Sequence, residues 1–220
     1  MSYLRAALVV LFTVSCLAAC QKAPQGARTT SAKIDYVNGE VTIDGATVEP
    51  GATIKPAFTV KTGAASSCGI IFDEKNLMHV DENTEAYIDL AADVRSVELK
   101  RGMLASALRK LSRVSSRDAD TFRVKSPTAV AGVRGTVFLV RVEEDAKTYM
   151  CDCNGILDMR DAKQGNARLV ESAHHKAFRF TKTGETITRA DAGLEYHTDQ
   201  MMEMGLARIG QTVDWTKVGK

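Results

Sequence analysis

The sequence predicts an all-β fold, on three observations. Short runs of alternating or β-branched residues recur from residue 34 to residue 159. Turn dipeptides such as Asn38-Gly39 and Asp44-Gly45 separate them at close spacing. Hydrophobic residues make up 45% of the 220 residues, enough for a core of one domain, and between residues 34 and 159 only one stretch has helical periodicity. The expected architecture is stacked short strands, a sandwich or short solenoid, with one or two short helices.

Taken in order, residues 1–19 have Arg5 as a charged n-region and an apolar run too short to span a bilayer. The run ends in Leu17-Ala18-Ala19-Cys20. Residues 20–32 are small and polar with Pro24 and Gly26, which predicts a tether. Strands are then expected at 34–37, 41–43, 59–61, 67–72, 77–80, 85–90 and 94–99. Residues 103–114 place Leu104, Leu108 and Leu111 at i, i+4 and i+7, which predicts an amphipathic helix on the sheet.

Residues 121–159 are the centre of the reading. Phe122-Arg123-Val124 reads as a strand that breaks at Ser126-Pro127, because proline cannot donate to a ladder. Gly132-Val133-Arg134-Gly135-Thr136 follows, with glycines where the backbone can kink. Residues 137–142 and 148–153 read as paired strands, with Asn154-Gly155 as a type I′ turn into 156–159. Beyond Asp161, a hairpin is expected around Lys182-Thr183-Gly184. A helix is expected over 199–209 with Thr198 or Asp199 as its cap, and Trp215 packing the end of the chain back onto the domain. The domain organisation is 1–19 signal, 20–32 tether, 33–160 β domain and 161–220 tail.

Composition excludes some functions. A net charge of +2, with no Lys/Arg block longer than two residues, gives no nucleic-acid footprint. No nucleophile elbow, phosphate loop, H-E-x-x-H or dinucleotide glycine pattern occurs, so no enzyme is expected. Cys68, Cys151 and Cys153 are the cysteines beyond the amino-terminal pair Cys16 and Cys20. On a strand, Cys151 and Cys153 point to one face because side chains alternate with period two. His174, His175 and His197 lie downstream, and two thiolates with two imidazoles would close a tetrahedral Zn²⁺ site or a lower-coordinate Cu(I) site. Three alternatives stay open here: such a metal site, a disulfide within the pair or to Cys68, and inert side chains. Arg134 is likewise readable as a partner-binding residue or as an ordinary ion-pairing one.

Two resemblances add to this. Leu17-Ala18-Ala19-Cys20 resembles the bacterial lipobox, which implies cleavage before Cys20 and acylation of Cys20 with palmitate-like chains. Gln21 in place of aspartate then implies the outer membrane, facing the periplasm. Ser126-Pro127, Ala129-Val130, Gly132-Val133-Arg134-Gly135-Thr136 and Phe138 resemble the core of the FecR domain family. The likeness runs from Lys33 to Met159 through Val60-Lys61-Thr62-Gly63 and Ile70 to Phe72. A CxC, HH and HTD tail is similar to that of some FecR-domain proteins. Regulatory FecR proteins look like transmembrane anti-sigma regulators, but no run of about 18 apolar residues follows Cys20. The resemblance therefore implies a non-enzymatic binding or sensory module, with the membrane and an envelope protein or polymer as partners.

Overall fold

The computed structural model describes residues 32–108 and 122–219. The signal, Cys20, most of the tether, and the part of the expected 103–114 helix beyond residue 108 lie outside the described residues. The first strands are β1 (Ala32–Asn38), β2 (Val41–Ile43), β3 (Ala46–Thr47), β4 (Thr53–Ile54), β5 (Ala57–Thr62), β6 (Ser67–Phe72), β7 (Asn76–Val80) and β8 (Glu85–Asp89). Next come β9 (Arg95–Leu108), β10 (Phe122–Lys125), β11 (Ala129–Val133), β12 (Thr136–Glu144) and β13 (Lys147–Asp161). The tail adds β14 (Arg168–Ser172), β15 (Lys176–Thr183), β16 (Thr186–Ala192) and α1 (Asp199–Arg208). Among the described residues the fold is all-β with one short helix.

Five strands close on themselves. β9 pairs in parallel with β10, β10 with β11, β11 with β13, β13 with β12, and β12 returns to β9. Closure removes the free edges of these strands, and a ring this small is filled by side chains. Leu104, Phe122, Val124, Ala131, Phe138, Val140, Met150 and Leu157 belong to that filling, within the larger apolar core. β8 and β7 extend from β9, and β14 and β15 extend from β13.

Ring closure depends on two long strands that change partners midway. β9 pairs with β8 up to Arg101 and with β12 from Gly102 onward. β13 pairs with β12 up to Asn154 and with β14 from Gly155 onward. The bends fall on Gly102 (φ 83°) and Gly155 (φ 146°), backbone conformations that favour glycine. Space is also closed there. A Cβ on Gly102 would stand 2.2 Å from Thr84 Oγ1, and one on Gly155 2.4 Å from the Thr136 side chain. Each threonine then ties the bend: the Met103 amide donates to Thr84 Oγ1 at 3.0 Å, and Thr136 Oγ1 donates to the Asn154 carbonyl at 2.8 Å.

Two local expectations are corrected. Residues 103–108 are strand, not helix. Leu104 and Leu108 satisfy period two as well as i, i+4, with Met103, Ala105 and Ala107 buried on the other face. A strand covered on both sides is a continuous apolar run that periodicity does not separate from a helix. Asn154-Gly155 is not a hairpin turn either, since both residues stay inside β13. Asn154 is buried instead and uses its side chain to hold distant chain, donating to the carbonyls of Ala173 (2.7 Å) and Lys217 (2.8 Å). The 182–184 hairpin and the helix after Thr198 form as expected.

Candidate metal centre

β13 has one face in each of two apolar clusters. Met150, Leu157 and Met159 face the main core, whereas Tyr149, Cys151 and Cys153 join a second cluster on the outside of the ring. That outer cluster is covered by Met202 and Leu206 of α1. Period-two alternation alone brings the two sulfurs together, with Sγ–Sγ at 3.7 Å.

Two later segments supply the imidazoles. The turn from β14 to β15 carries His174 and His175, and His175 adopts a left-handed backbone (φ 43°) while its amide donates to the Cys153 carbonyl at 3.0 Å. Its Nδ1 then lies 3.6 Å from Cys151 Sγ. After β16 the chain runs back across the outer face. The Tyr149 hydroxyl donates to the Gly193 carbonyl (3.0 Å) and accepts from the Glu195 amide (3.2 Å), and Tyr196 packs edge-on against the Tyr149 ring. This seats His197 Nε2 at 3.2 Å from both Cys153 Sγ and His175 Nδ1.

The four ligand atoms of Cys151, Cys153, His175 and His197 lie within 4.8 Å of one another. A tetrahedral ion with Zn–S of about 2.3 Å and Zn–N of about 2.0–2.1 Å requires S–S edges of about 3.8 Å, S–N of about 3.6 Å and N–N of about 3.3 Å. The observed edges of 3.7, 3.6, 3.2 and 3.2 Å match these to within a few tenths of an ångström. Both imidazoles have their far nitrogens occupied. His197 Nδ1 bonds the Glu195 carbonyl at 2.7 Å and His175 Nε2 bonds Asp199 Oδ1 at 2.7 Å, the outer partners that orient metal-binding histidines.

Electrostatics favour a cation here. Hydrogen bonding from the Cys153 thiol, and then from His175 and His197, outweighs burial and brings the Cys151 thiol down to about 4. Burial, reinforced by the neighbouring Cys151, pushes Cys153 well above its ordinary range. The pocket thus accepts one negative charge and resists the second. A divalent ion would neutralise both thiolates and remove that conflict. Burial also raises the adjacent Asp152 carboxyl to about 7, against the opposing pull of Thr136 Oγ1 at 2.9 Å.

Not all of the expected residues converge. His174 stands outside the four-atom cluster; it is half exposed and bonds Asp199 through Nε2 at 2.9 Å. Cys68 sits on β6 in the main core, away from the outer cluster that holds Cys151 and Cys153, and all three cysteines are free. Arg134 lies half-buried in the turn between β11 and β12, next to Gly135 at φ 89°, and its amide donates to the Ile156 carbonyl. Asp199 and Trp215 are supporting residues that sequence reasoning assigned only to capping and packing. The His197-Thr198-Asp199 spacing is the one visible signal for Asp199, and none marks Trp215. The Trp215 ring packs on both His174 and His175, with centroids at 5.1 Å.

Residues 58–152 match the family described as FecR protein. The matched span is narrower than the 33–159 expected from the motifs. The match includes Cys151 and ends before Cys153, His174, His175 and His197. No curated protein matches the chain. Two solved structures of a protein assigned as an anti-sigma factor from Parabacteroides distasonis ATCC 8503 are similar. One has 14% identity and a TM-score of 0.48, covering 61% of this chain and 60% of that one. The other has 15% identity and a TM-score of 0.47, covering 60% and 59%. The chain thus spans about 60% of the length of the proteins it resembles. Among the described residues, no helix is long and apolar enough to cross a membrane.

Proposed function

We infer that this FecR-domain chain is a lipid-anchored, periplasm-facing binding or sensory module whose ligand is a transition-metal ion. The observation that carries the metal reading is the convergence of the four donor atoms of Cys151, Cys153, His175 and His197, all within 4.8 Å of one another. Two thiolates and two imidazoles are a donor set that suits Zn²⁺, unlike the all-oxygen sets that Mg²⁺ and Ca²⁺ take. Four protein ligands complete a tetrahedron and leave no position for a substrate, which supports a structural or sensory centre over a catalytic one. A FecR domain is consistent with a sensory or regulatory, non-enzymatic role.

The anchor reading rests on Leu17-Ala18-Ala19-Cys20, and Gln21 favours the outer membrane. Two or more acyl chains, at about 0.8 kcal/mol per buried CH₂, would hold the protein stably. An envelope protein or polymer is then the partner class within reach.

Mass spectrometry of the protein purified under reducing conditions tests the metal reading. The expected result is one zinc per chain in the wild type, with Cys151→Ser and His197→Ala each lowering it. Thiols that need reductant to appear, with no metal found, would sink it; copper in place of zinc would reassign the ion. For the anchor, Cys20→Ser should block processing, and globomycin, which inhibits the lipoprotein signal peptidase, should make the wild-type precursor accumulate. Unchanged processing in both would reject it.

A further inference from the structure

Three of the four donors belong to the sheet: Cys151 and Cys153 on β13, and His175 at the entry to β15. Only His197 comes from the segment that follows β16. Of α1 only Met202 and Leu206 are buried, while Met201, Ile209, Val213 and Trp215 pack against the outer cluster half-exposed. Beneath it runs an apolar groove of about 250 Å³ lined by Leu77, Ala105, Ala107, Val137 and Met202. A helix with a groove under it loses part of the dispersion that tight packing would supply.

What fixes the segment converges on the metal-site histidines. At its start, Asp199 bonds His174 and His175. Near its end, Trp215 stacks on the same two rings and donates from Nε1 to Glu203 of α1 at 2.8 Å. Other ties include the Arg208–Asp35 ion pair, the Gln211 bond to the Lys75 carbonyl (2.7 Å), Asn154 bonding the carbonyls of Asp214 and Lys217, and the Arg208 guanidinium over the Tyr36 ring (4.7 Å). The first two are solvent-facing and weak. Tyr196, just before His197, has φ 67° and marks the bend at which the segment leaves the sheet.

We propose that the metal centre is a latch: the ion ties residues 197–217 onto the outer face of the ring, and its loss frees them and uncovers that apolar face. This rests on the Cys₂His₂ reading above. The open segment has surrendered His197, so the open state binds the ion less well than the closed one. By mass action the ion therefore favours closure. The ion is the input and exposure of Ala105, Val137 and Leu139 is the output, which gives a sensory domain a moving part.

Trp215 is the sole tryptophan, so intrinsic fluorescence reads this segment alone. The full-length protein in detergent is compared with Zn²⁺ and after a chelator, by mass-spectrometric metal content, hydrogen exchange and acrylamide quenching. Holding Zn²⁺ at 100 times its dissociation constant should slow exchange across 198–217 by up to about 100-fold relative to the metal-free protein, the full factor applying where the open state binds no ion. Amides of 147–152, bonded within the sheet, should change little, and Trp215 should become more quenchable without metal. His197→Ala should give the free-segment pattern even where the other three ligands retain an ion. Zinc that binds and leaves with no change in 198–217 overturns the latch and spares the site. Failure to bind zinc overturns both.

Discussion

Cys68 and Cys151 are equally buried, both at 0% exposure, yet their surroundings give them opposite chemistry. Cys68 stands among the apolar side chains of the main core, where desolvation pushes its thiol up to about 12 and leaves it a small hydrophobe. Cys151 lies in the outer cluster beside a second thiol and two imidazoles, which bring it down to about 4 against the same burial. Burial alone therefore does not set the role of a cysteine in this fold; the neighbours on its face of the sheet do. The alternation of β13 puts Cys151 outside the ring, whereas Cys68 on β6 is packed into the main core.

The largest effect that would break this comparison is on stability with metal bound. Binding energies of structural zinc sites are of the order of 10–16 kcal/mol, and that energy is shared by the ligands. Cys151→Ser should therefore lower the melting temperature of the zinc-loaded protein sharply and abolish its shift on chelation. Cys68→Ser should cost about 1–3 kcal/mol, for a hydroxyl placed in an apolar core, and leave the metal content intact. Equal losses of metal in the two variants would refute the division between the clusters.

Next in size is the bend that hands β13 from one set of partners to the other. Gly155→Ala places a Cβ against Thr136 at a left-handed backbone and should destabilise by about 2 kcal/mol or more. Gly102→Ala should cost a similar amount against Thr84, but only the Gly155 change, two residues from Cys153, should also weaken metal binding. Denaturant unfolding and zinc titration of both variants check this. If the two weaken zinc equally, the bend in β13 has no special role in placing the sulfurs.

The smallest effect sharpens the site itself. His174→Ala removes a residue that bonds Asp199 but stands outside the tetrahedron. Zinc stoichiometry should stay at one per chain, and affinity should fall by less than the roughly 10–100-fold of losing a direct outer partner, because His174 acts only through Asp199. A stoichiometry that drops as far as in His197→Ala would make His174 a ligand.

Much of this was legible in the sequence because it depends on local rules. Period-two alternation alone puts Cys151 and Cys153 on one face, and Thr198 with Asp199 signals the start of α1. The choice of His175 over His174 was not legible. It depends on a left-handed backbone at His175 and on an amide bond to Cys153, both set by how β14 returns to β15. The strand at 103–108 was hidden for another reason: with both faces buried, the leucine spacing fits either period. Asn154-Gly155 misled because a turn dipeptide serves equally well where a long strand bends against a close neighbour. Ring closure through β9 and β13 joins residues far apart in sequence, and no local signal carries it.

Zinc K-edge X-ray absorption on the zinc-loaded, reduced protein tests the Cys₂His₂ centre most directly. The expected shell is two sulfurs at about 2.3 Å and two nitrogens at about 2.0–2.1 Å, with the outer-shell scattering of imidazole rings. A shell of oxygens and nitrogens without sulfur, or one sulfur with the rest oxygen, would contradict the assignment of Cys151, Cys153, His175 and His197 as a single site.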